Sequence, residues 1–378
     1  MGKKKAASPV TCPDPVPGFE IQWETKVKHE IGHRGARFWG PSLILNERYD
    51  GGITCFDPVS RVEKWHLRLR DSGFRVELRV VGEAGDQLLV SSRMGFHLVN
   101  RESGEARLVE SLEVARYVSF SHFTGSHAIF TTLDEGLVVM DMASGKVEQY
   151  TGAAHELEPC TGFGESFFAR EPDTESVARY IGRYEAGTGR LLKSNSRLLD
   201  LPEAEPKILN QGCAGSVLVI PGDRGCRIWI YSWSGEVLRE LAIKEPSIDR
   251  WGSLQARLLV GPDGSLDRLL AIVCSTKGSQ VFLFDLNGQG QLIMSKEVLG
   301  NRNDELVIAG NRLFWIEIDY YDIAGGNWGK FFDFVTGESG TFLGEPVESY
   351  LATDGRGIFF GKARQGDKHL AYGIFASS

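Results

Sequence analysis

Two histidines four residues apart, with a carboxylate directly after the first, make up the run His29-Glu30-Ile31-Gly32-His33. On an α-helix this spacing turns both imidazoles to one face. They can then hold a zinc ion while the carboxylate takes a proton from zinc-bound water. The chemistry needs the helix, and the flanking residues argue for a different element. Phe19, Ile21, Trp23, Thr25, Val27, His29 and Ile31 occupy one parity, and Glu20, Gln22, Glu24, Lys26, Lys28 and Glu30 the other. A two-residue period of this kind belongs to a half-buried strand. On a strand Glu30 points away from both imidazoles, so the expectation here is a strand followed by a loop, with no metal and no cofactor.

The five-residue run resembles the signature of zinc peptidases, and that resemblance stops at the run itself. The longer metzincin pattern would place glycine at Ala36 and a third histidine at Trp39. The six cysteines, Cys12, Cys55, Cys160, Cys213, Cys226 and Cys274, show no paired spacing of the metal-binding kind. Cys55 and Cys274 sit in apolar runs and are expected in the core. The amino-terminal 18 residues carry Lys3, Lys4 and Lys5 and several prolines without an apolar h-region, so they read as a disordered tail, not a signal peptide. Reduced thiols and a cytoplasmic location follow as expectations.

Acidic residues outnumber basic ones 50 to 42, giving a net charge of −8. Without a basic stripe, phosphate neutralisation is disfavoured and nucleic acid is not an expected partner. No apolar run is long enough to cross a membrane as a helix.

Stepping along the chain, an apolar run ends again and again in an acidic or amide residue followed three positions later by Ser or Thr and then Gly. The clearest copies are Asn100 to Gly104, Asp141 to Gly145, Glu185 to Gly189 and Asp333 to Gly337, with weaker ones at Asp57, Tyr231 and Asp285. The first side chain accepts hydrogen bonds from backbone two and three residues on, and glycine takes the positive φ that closes a tight hairpin. From Asp57 to Asp333 the mean spacing is 46 residues, so the 357 residues from Phe19 to Phe375 hold eight repeats more comfortably than seven. Glycine, 45 of 378 residues, is enriched as so many turns require. The fold class is therefore all-β: an eight-bladed β-propeller, seven blades being the alternative, in one domain over residues 19–378. After the last hairpin only three strand-like runs remain, Ser349 to Ala352, Gly357 to Lys362 and His369 to Phe375. The strand beginning at Phe19 is expected to complete that blade and close the ring.

The hairpins resemble the repeat of the PQQ-like, or quinoprotein-like, propellers. Asp57, Ser60 and Trp65 match three positions of that repeat with Arg61 in place of Gly, and Asp333, Thr336 and Gly337 match three with Thr341 in place of Trp. The resemblance implies an eight-bladed propeller of that type and carries no quinone or calcium chemistry.

In a blade of strands A to D counted from the axis, the C–D loops are the short hairpins just described. The longer segments, His29 to Arg37, Gly152 to Pro159, Asp200 to Gly212, Glu245 to Ser253 and Asp319 to Lys330, fall on the opposite face with the B–C and D–A loops. Arg250, Trp251, Tyr320, Tyr321, Asp322 and Trp328 bring aromatic rings and charge together there, the residue types that anchor interfaces and ligands. The expected function is an interaction scaffold for a protein, peptide or small molecule, without catalysis. The alternative is a cofactor-independent lyase, isomerase or cyclase that uses the axial funnel as its pocket.

Overall fold

The computed structural model describes residues 17–375 apart from 48–50, 72–73, 76–77, 110–116, 133–135, 150–157, 164, 172–179, 196–206, 211–215, 223–224, 232–236, 244–252, 261–265, 276–277, 287–290, 299–306, 318–326 and 365–366. Among the described residues every regular element is a β-strand; His33 lies in one of them and His29 in the connection just before it, where the zinc-peptidase chemistry would need a helix. The strands form eight four-stranded antiparallel sheets and one two-stranded ribbon. In seven of the eight sheets the strands lie side by side in chain order. The chain divides into two compact units, residues 1–78 with 303–378, and residues 79–302.

The first unit opens with Phe19–Lys26 (β1), Ile31–Trp39 (β2), Ser42–Glu47 (β3), Ile53–Asp57 (β4) and Val62–Leu67 (β5). Strands β2 to β5 make one sheet, in which β3 and β4 are almost wholly buried. A second sheet contains Val307–Ala309, Arg312–Glu317, Trp328–Asp333 and Ser339–Thr341. The third breaks the chain order: Val347–Thr353, Ile358–Arg364 and Asp367–Phe375 are completed at the edge by β1. Phe19 pairs with Phe375, Trp23 with Tyr372 and Lys26 with His369.

Alternation explains how β1 docks, since Phe19, Ile21 and Trp23 turn inward while Glu20 and Gln22 face water. The Phe19 ring lies 5.0 Å from Phe342 and 5.2 Å from Phe375, and Phe331 lies 4.8 Å from Phe375. Phe19 thus enters an aromatic cluster shared by two sheets of this unit, each such ring pair contributing about 0.5–1.5 kcal/mol beyond its buried area. Gly373 makes room for it, because a Cβ there would stand 2.3 Å from the Phe19 ring.

The reading of Phe19 to Ile31 as one strand needs correction. β1 ends at Lys26, Val27 N donates to Lys368 O at 2.9 Å, and the chain crosses at residues 27–30 to begin β2 at Ile31. The segment His29 to Arg37, expected as a loop, is mostly the bulged start of β2. Ile31 pairs with Glu47 and Ala36 with Leu45, so residues 32–35 stand opposite Asn46 alone. Gly35 fits because backbone atoms of Asn46 and Gly32 lie 2.7 Å from where its Cβ would be.

The second unit holds five sheets, spanning Arg79–Leu108, Tyr117–Gln149, Glu158–Asn195, Lys207–Ile243 and Ser253–Val298. Its best-defined core joins the first two through Leu89, Phe96, Phe130, Val138 and Met140, all at most 1% exposed.

The hairpin chemistry read from the repeat is present in both units. Asn100 Oδ1 accepts from Glu102 N and Ser103 N, both at 2.9 Å, and Asp333 Oδ1 accepts from Val335 N and Thr336 N at 2.8 and 3.0 Å. Asp141 Oδ1 accepts from the Ser144 hydroxyl and amide, each at 2.7 Å, and that hydroxyl first of all holds the Asp141 carboxyl below its usual pKa. Gly104, Gly145, Gly189 and Gly337 close their turns at φ between 68° and 75°. The weaker anchors Tyr231 and Asp285 end strands as expected, although most of the residues that follow them lie outside the described set.

Candidate functional site

His29 leaves the connection between β1 and β2 and lies over the end of the β2–β5 sheet. Glu47 is the last residue of β3, His66 lies in β5 directly across from Thr54 of β4, and Arg68 follows β5. Glu47 N donates to Gly52 O at 2.9 Å, which holds Gly52 against the carboxylate. A Cβ at Gly52 would stand 2.6 Å from Glu47 Oε2 and 2.8 Å from His66 Nε2.

The Glu47 side chain is excluded from solvent. Taking a carboxylate out of water costs several kcal/mol unless it is paired. Arg68 Nη2 donates to Glu47 Oε2 at 3.1 Å and lies 2.9 Å from His29 Nδ1. A guanidinium can only donate, so Nδ1 accepts and the proton of a neutral His29 sits on Nε2. That Nε2 is 3.6 Å from Glu47 Oε1, and His66 Nε2 is 2.8 Å from the same oxygen. The two imidazoles stack at 4.8 Å with 14° between planes. Burial pushes the His66 pKa down, Glu47 pulls it up, and Arg68 and His29 push it down again, leaving it below the usual histidine value. The net effect favours the uncharged imidazole at His66.

Beside this cluster a cavity of about 270 Å³ lies between the β1–β2 connection and the sheet, lined by His29 and Thr54 at the cluster, Leu45 and Phe56 on the floor, and Arg61 and Glu63 at the far side. The other two sheets of the same unit carry ionisable groups at the matching end, where the second strand ends and the third begins. In one, buried Lys362 contacts Glu345 and lies 3.3 Å from Glu24, whose other oxygen is 3.0 Å from His369. In the other, Lys330 pairs with Glu317 at 3.1 Å. Trp328 stands across from Glu317 and is half-buried. Of the residues expected to bind a partner, Trp328 is thereby placed beside charge at this end, whereas Arg250, Trp251, Tyr320, Tyr321 and Asp322 lie outside the described residues.

Glu30 does not accompany His29. It pairs with Lys368, in the crossing between β1 and β2 and not on a strand. The sequence reading missed Glu47, at the end of β3, and His66 and Arg68, in and just after β5. The legible hints were a carboxylate closing the apolar run Ser42–Glu47 and the two-residue spacing of His66 and Arg68, which puts them on one side of an extended chain.

In the second unit, Ser126, His127 and Glu165 form a serine–histidine–carboxylate group. Ser126 Oγ lies 2.7 Å from His127 Nδ1, and Glu165 Oε2 lies 3.2 Å from the same nitrogen. Nucleophilic catalysis needs the hydroxyl and the carboxylate on opposite ring nitrogens. With Ser126 also donating to Glu165 at 2.7 Å, the group ties one sheet's turn to the next.

Among solved structures, BamB from Moraxella catarrhalis is similar over 95% of this chain and 98% of its own, with a TM-score of 0.52 at 12% identity. The fold is that of a β-propeller. At this identity the likeness speaks for fold alone, and it agrees with the four-stranded repeat sheets described above. The WD40 domain of SCAP from fission yeast (11% identity, 96% of this chain and 98% of that one, TM-score 0.48) and the N-terminal domain of Nup159 (12%, 96% and 98%, 0.46) are weaker likenesses. No family model matches the sequence. No curated protein matches it either.

Proposed function

We propose that the chain is a single eight-bladed propeller of the PQQ-like type, closed by β1 in the last sheet, and that it works as a cytoplasmic interaction scaffold. Its partner is a protein or peptide, or a small molecule in the cavity beside His29, and neither nucleic acid nor membrane is expected. The observation that carries this reading is an asymmetry between sheet ends. In the unit formed by residues 1–78 and 303–378, all three sheets carry ion pairs at one end, joined there by Trp328 and by a cavity that starts at His29 and reaches Arg61 and Glu63, while the described third-to-fourth-strand hairpins of two of them are short turns closed on Asp57 and Asp333. The binding residues proposed from the sequence are Arg250, Trp251, Tyr320, Tyr321, Asp322 and Trp328, of which Trp328 lies within the described residues, across from Glu317.

The test is a thermal-shift screen for a ligand, followed by affinity measurements on two sets of variants. Trp328→Ala, Tyr321→Ala and Arg250→Ala should each weaken binding by about 2 kcal/mol or more, as truncating an anchor does. Ser103→Ala and Ser144→Ala, on hairpins, should leave affinity unchanged. Loss confined to the hairpin variants overturns the reading.

One observation favours a second reading. His66, its pKa lowered by burial, stacks on His29 of the cavity wall and is a group able to accept a proton there, as a cofactor-independent lyase, isomerase or cyclase would need. Turnover of a screened ligand that His66→Gln abolishes would establish it.

A further inference from the structure

The groups at the end of β3 converge more tightly than an ion pair requires. One donor atom from each of His29, Glu47 and His66 lies within 4.8 Å of the others. Ligands about 2.0–2.2 Å from a tetrahedral zinc ion stand roughly 3.4 Å apart. The two edges from Glu47 Oε1, at 2.8 Å to His66 Nε2 and 3.6 Å to His29 Nε2, bracket that separation. The shorter edge has to open slightly, and the edge between the imidazoles, at most 4.8 Å, has to close. Arg68 now occupies the outer side of two of the three groups, donating to Glu47 Oε2 and lying 2.9 Å from His29 Nδ1. Two imidazoles and one carboxylate suit zinc and leave a fourth position open.

We propose that His29, Glu47 and His66 form a binding site for a divalent cation of the zinc class, with Arg68 as the cation that competes for the same carboxylate. This inference is independent of the scaffold reading, and it departs from the sequence expectation of no metal. It shares only His29 with the His29-Glu30-Ile31-Gly32-His33 run. The three ligands come from the β1–β2 connection, β3 and β5, so no spacing in the sequence announces them. Arg68 sets a condition on binding. While it donates to Nδ1, the His29 proton occupies Nε2, the atom that must ligate. Binding therefore requires Arg68 to turn away, so that His29, and likewise His66, whose Nε2 faces Glu47 Oε1 at 2.8 Å, can carry its proton on Nδ1. At 28% side-chain exposure, Arg68 has a route to solvent.

The full-length chain should be titrated with Co²⁺, as a spectroscopic substitute for zinc, and with Zn²⁺ by calorimetry. One equivalent is expected to bind, with visible d–d absorption and without the near-ultraviolet sulfur charge-transfer band that cysteine ligands produce. His66→Ala and Glu47→Ala should weaken binding by roughly 100-fold. His66→Cys should keep the cobalt and add the sulfur band, which places the ion at position 66 even where the alanine variants are poorly folded. Arg68→Leu should tighten binding about tenfold, because a like charge no longer faces the ion. Absence of saturable binding in both the wild type and Arg68→Leu overturns the proposal, as does a sulfur band in the wild type or affinity unchanged in His66→Ala.

Discussion

Arg61 occupies a turn position that glycine fills in four other hairpins. Its φ is +62°, and Arg61 N donates to Asp57 O at 2.8 Å as Gly104, Gly145, Gly189 and Gly337 do to their own anchors. A left-handed backbone costs a residue with a Cβ about 1 kcal/mol. The guanidinium recovers part of that by lying 5.6 Å from the Trp23 ring, worth about 0.5–1 kcal/mol at such a site. Arg61→Gly should therefore change stability little in the wild type and raise it by about 1 kcal/mol in a Trp23→Leu background, as chemical denaturation would measure. Equal effects in both backgrounds would show that the ring contact contributes nothing. His97 supplies a pH dependence. Burial holds its imidazole below the ordinary histidine value of 6.5, while a hydrogen bond to the Gly95 carbonyl opposes this more weakly. The fold favours the neutral form, so the contribution is fully present above pH 6.5 and is lost as pH falls through the depressed folded value. Replacing His97 by Gln should shrink the drop in melting temperature between pH 7.5 and pH 5.5. A drop of unchanged size would assign it to other groups.

At the scale of elements, the bulge opening β2 controls how the chain passes from β1 to the site. Gly35 is fitted against backbone atoms, which cannot rotate aside as a side chain could. Gly35→Ala should cost about 2–3 kcal/mol, whereas Gly337→Ala, with nothing within 4 Å of its Cβ, should cost only the left-handed strain of about 1 kcal/mol. Urea titration of the two variants gives the comparison, and a smaller loss at Gly35 would mean that the bulge relaxes. The bulge was not legible in the sequence. Alternating parity from Phe19 to Ile31 looks the same whether the chain continues straight or crosses to a neighbouring sheet, because His29 and Ile31 stay half-buried or buried in either case. The hairpins were legible because their chemistry is contained within five residues. In each, the Asx-type acceptor, the Ser or Thr and the Gly satisfy one another without help from elsewhere.

At the scale of the whole molecule, the first strand completes the last sheet. Deleting residues 1–27 would expose the paired edge of Asp367–Phe375 and remove the Phe19 and Trp23 rings from their clusters. Unpaired sheet edges recruit other chains. The shortened protein should therefore aggregate, and a synthetic peptide of residues 17–28 added during refolding should restore a monodisperse species in light scattering. A shortened chain that stays monodisperse and melts like the parent would show that closure does not depend on β1. Phe19→Ala, in the intact chain, should cost about 2 kcal/mol, below the 3–5 kcal/mol of a fully buried phenylalanine because the ring is only half-buried.

The sequence by itself determined the repeating four-stranded unit, the anchors of its hairpins, the strand beginning at Phe19 and the need for a fourth strand beside His369 to Phe375. All of these rest on short-range physics: two-residue alternation, side-chain hydrogen bonds to backbone a few positions on, and glycine at positive φ. The tertiary structure alone decided that His29 meets Glu47, His66 and Arg68. Their meeting depends on where β1 ends, on the bulge that resets β2, and on the register that puts His66 opposite Thr54. A shift of one residue in any of these pairings would turn the side chain to the other face of the sheet. No local pattern encodes that outcome, because the interactions that select it lie between strands tens of residues apart.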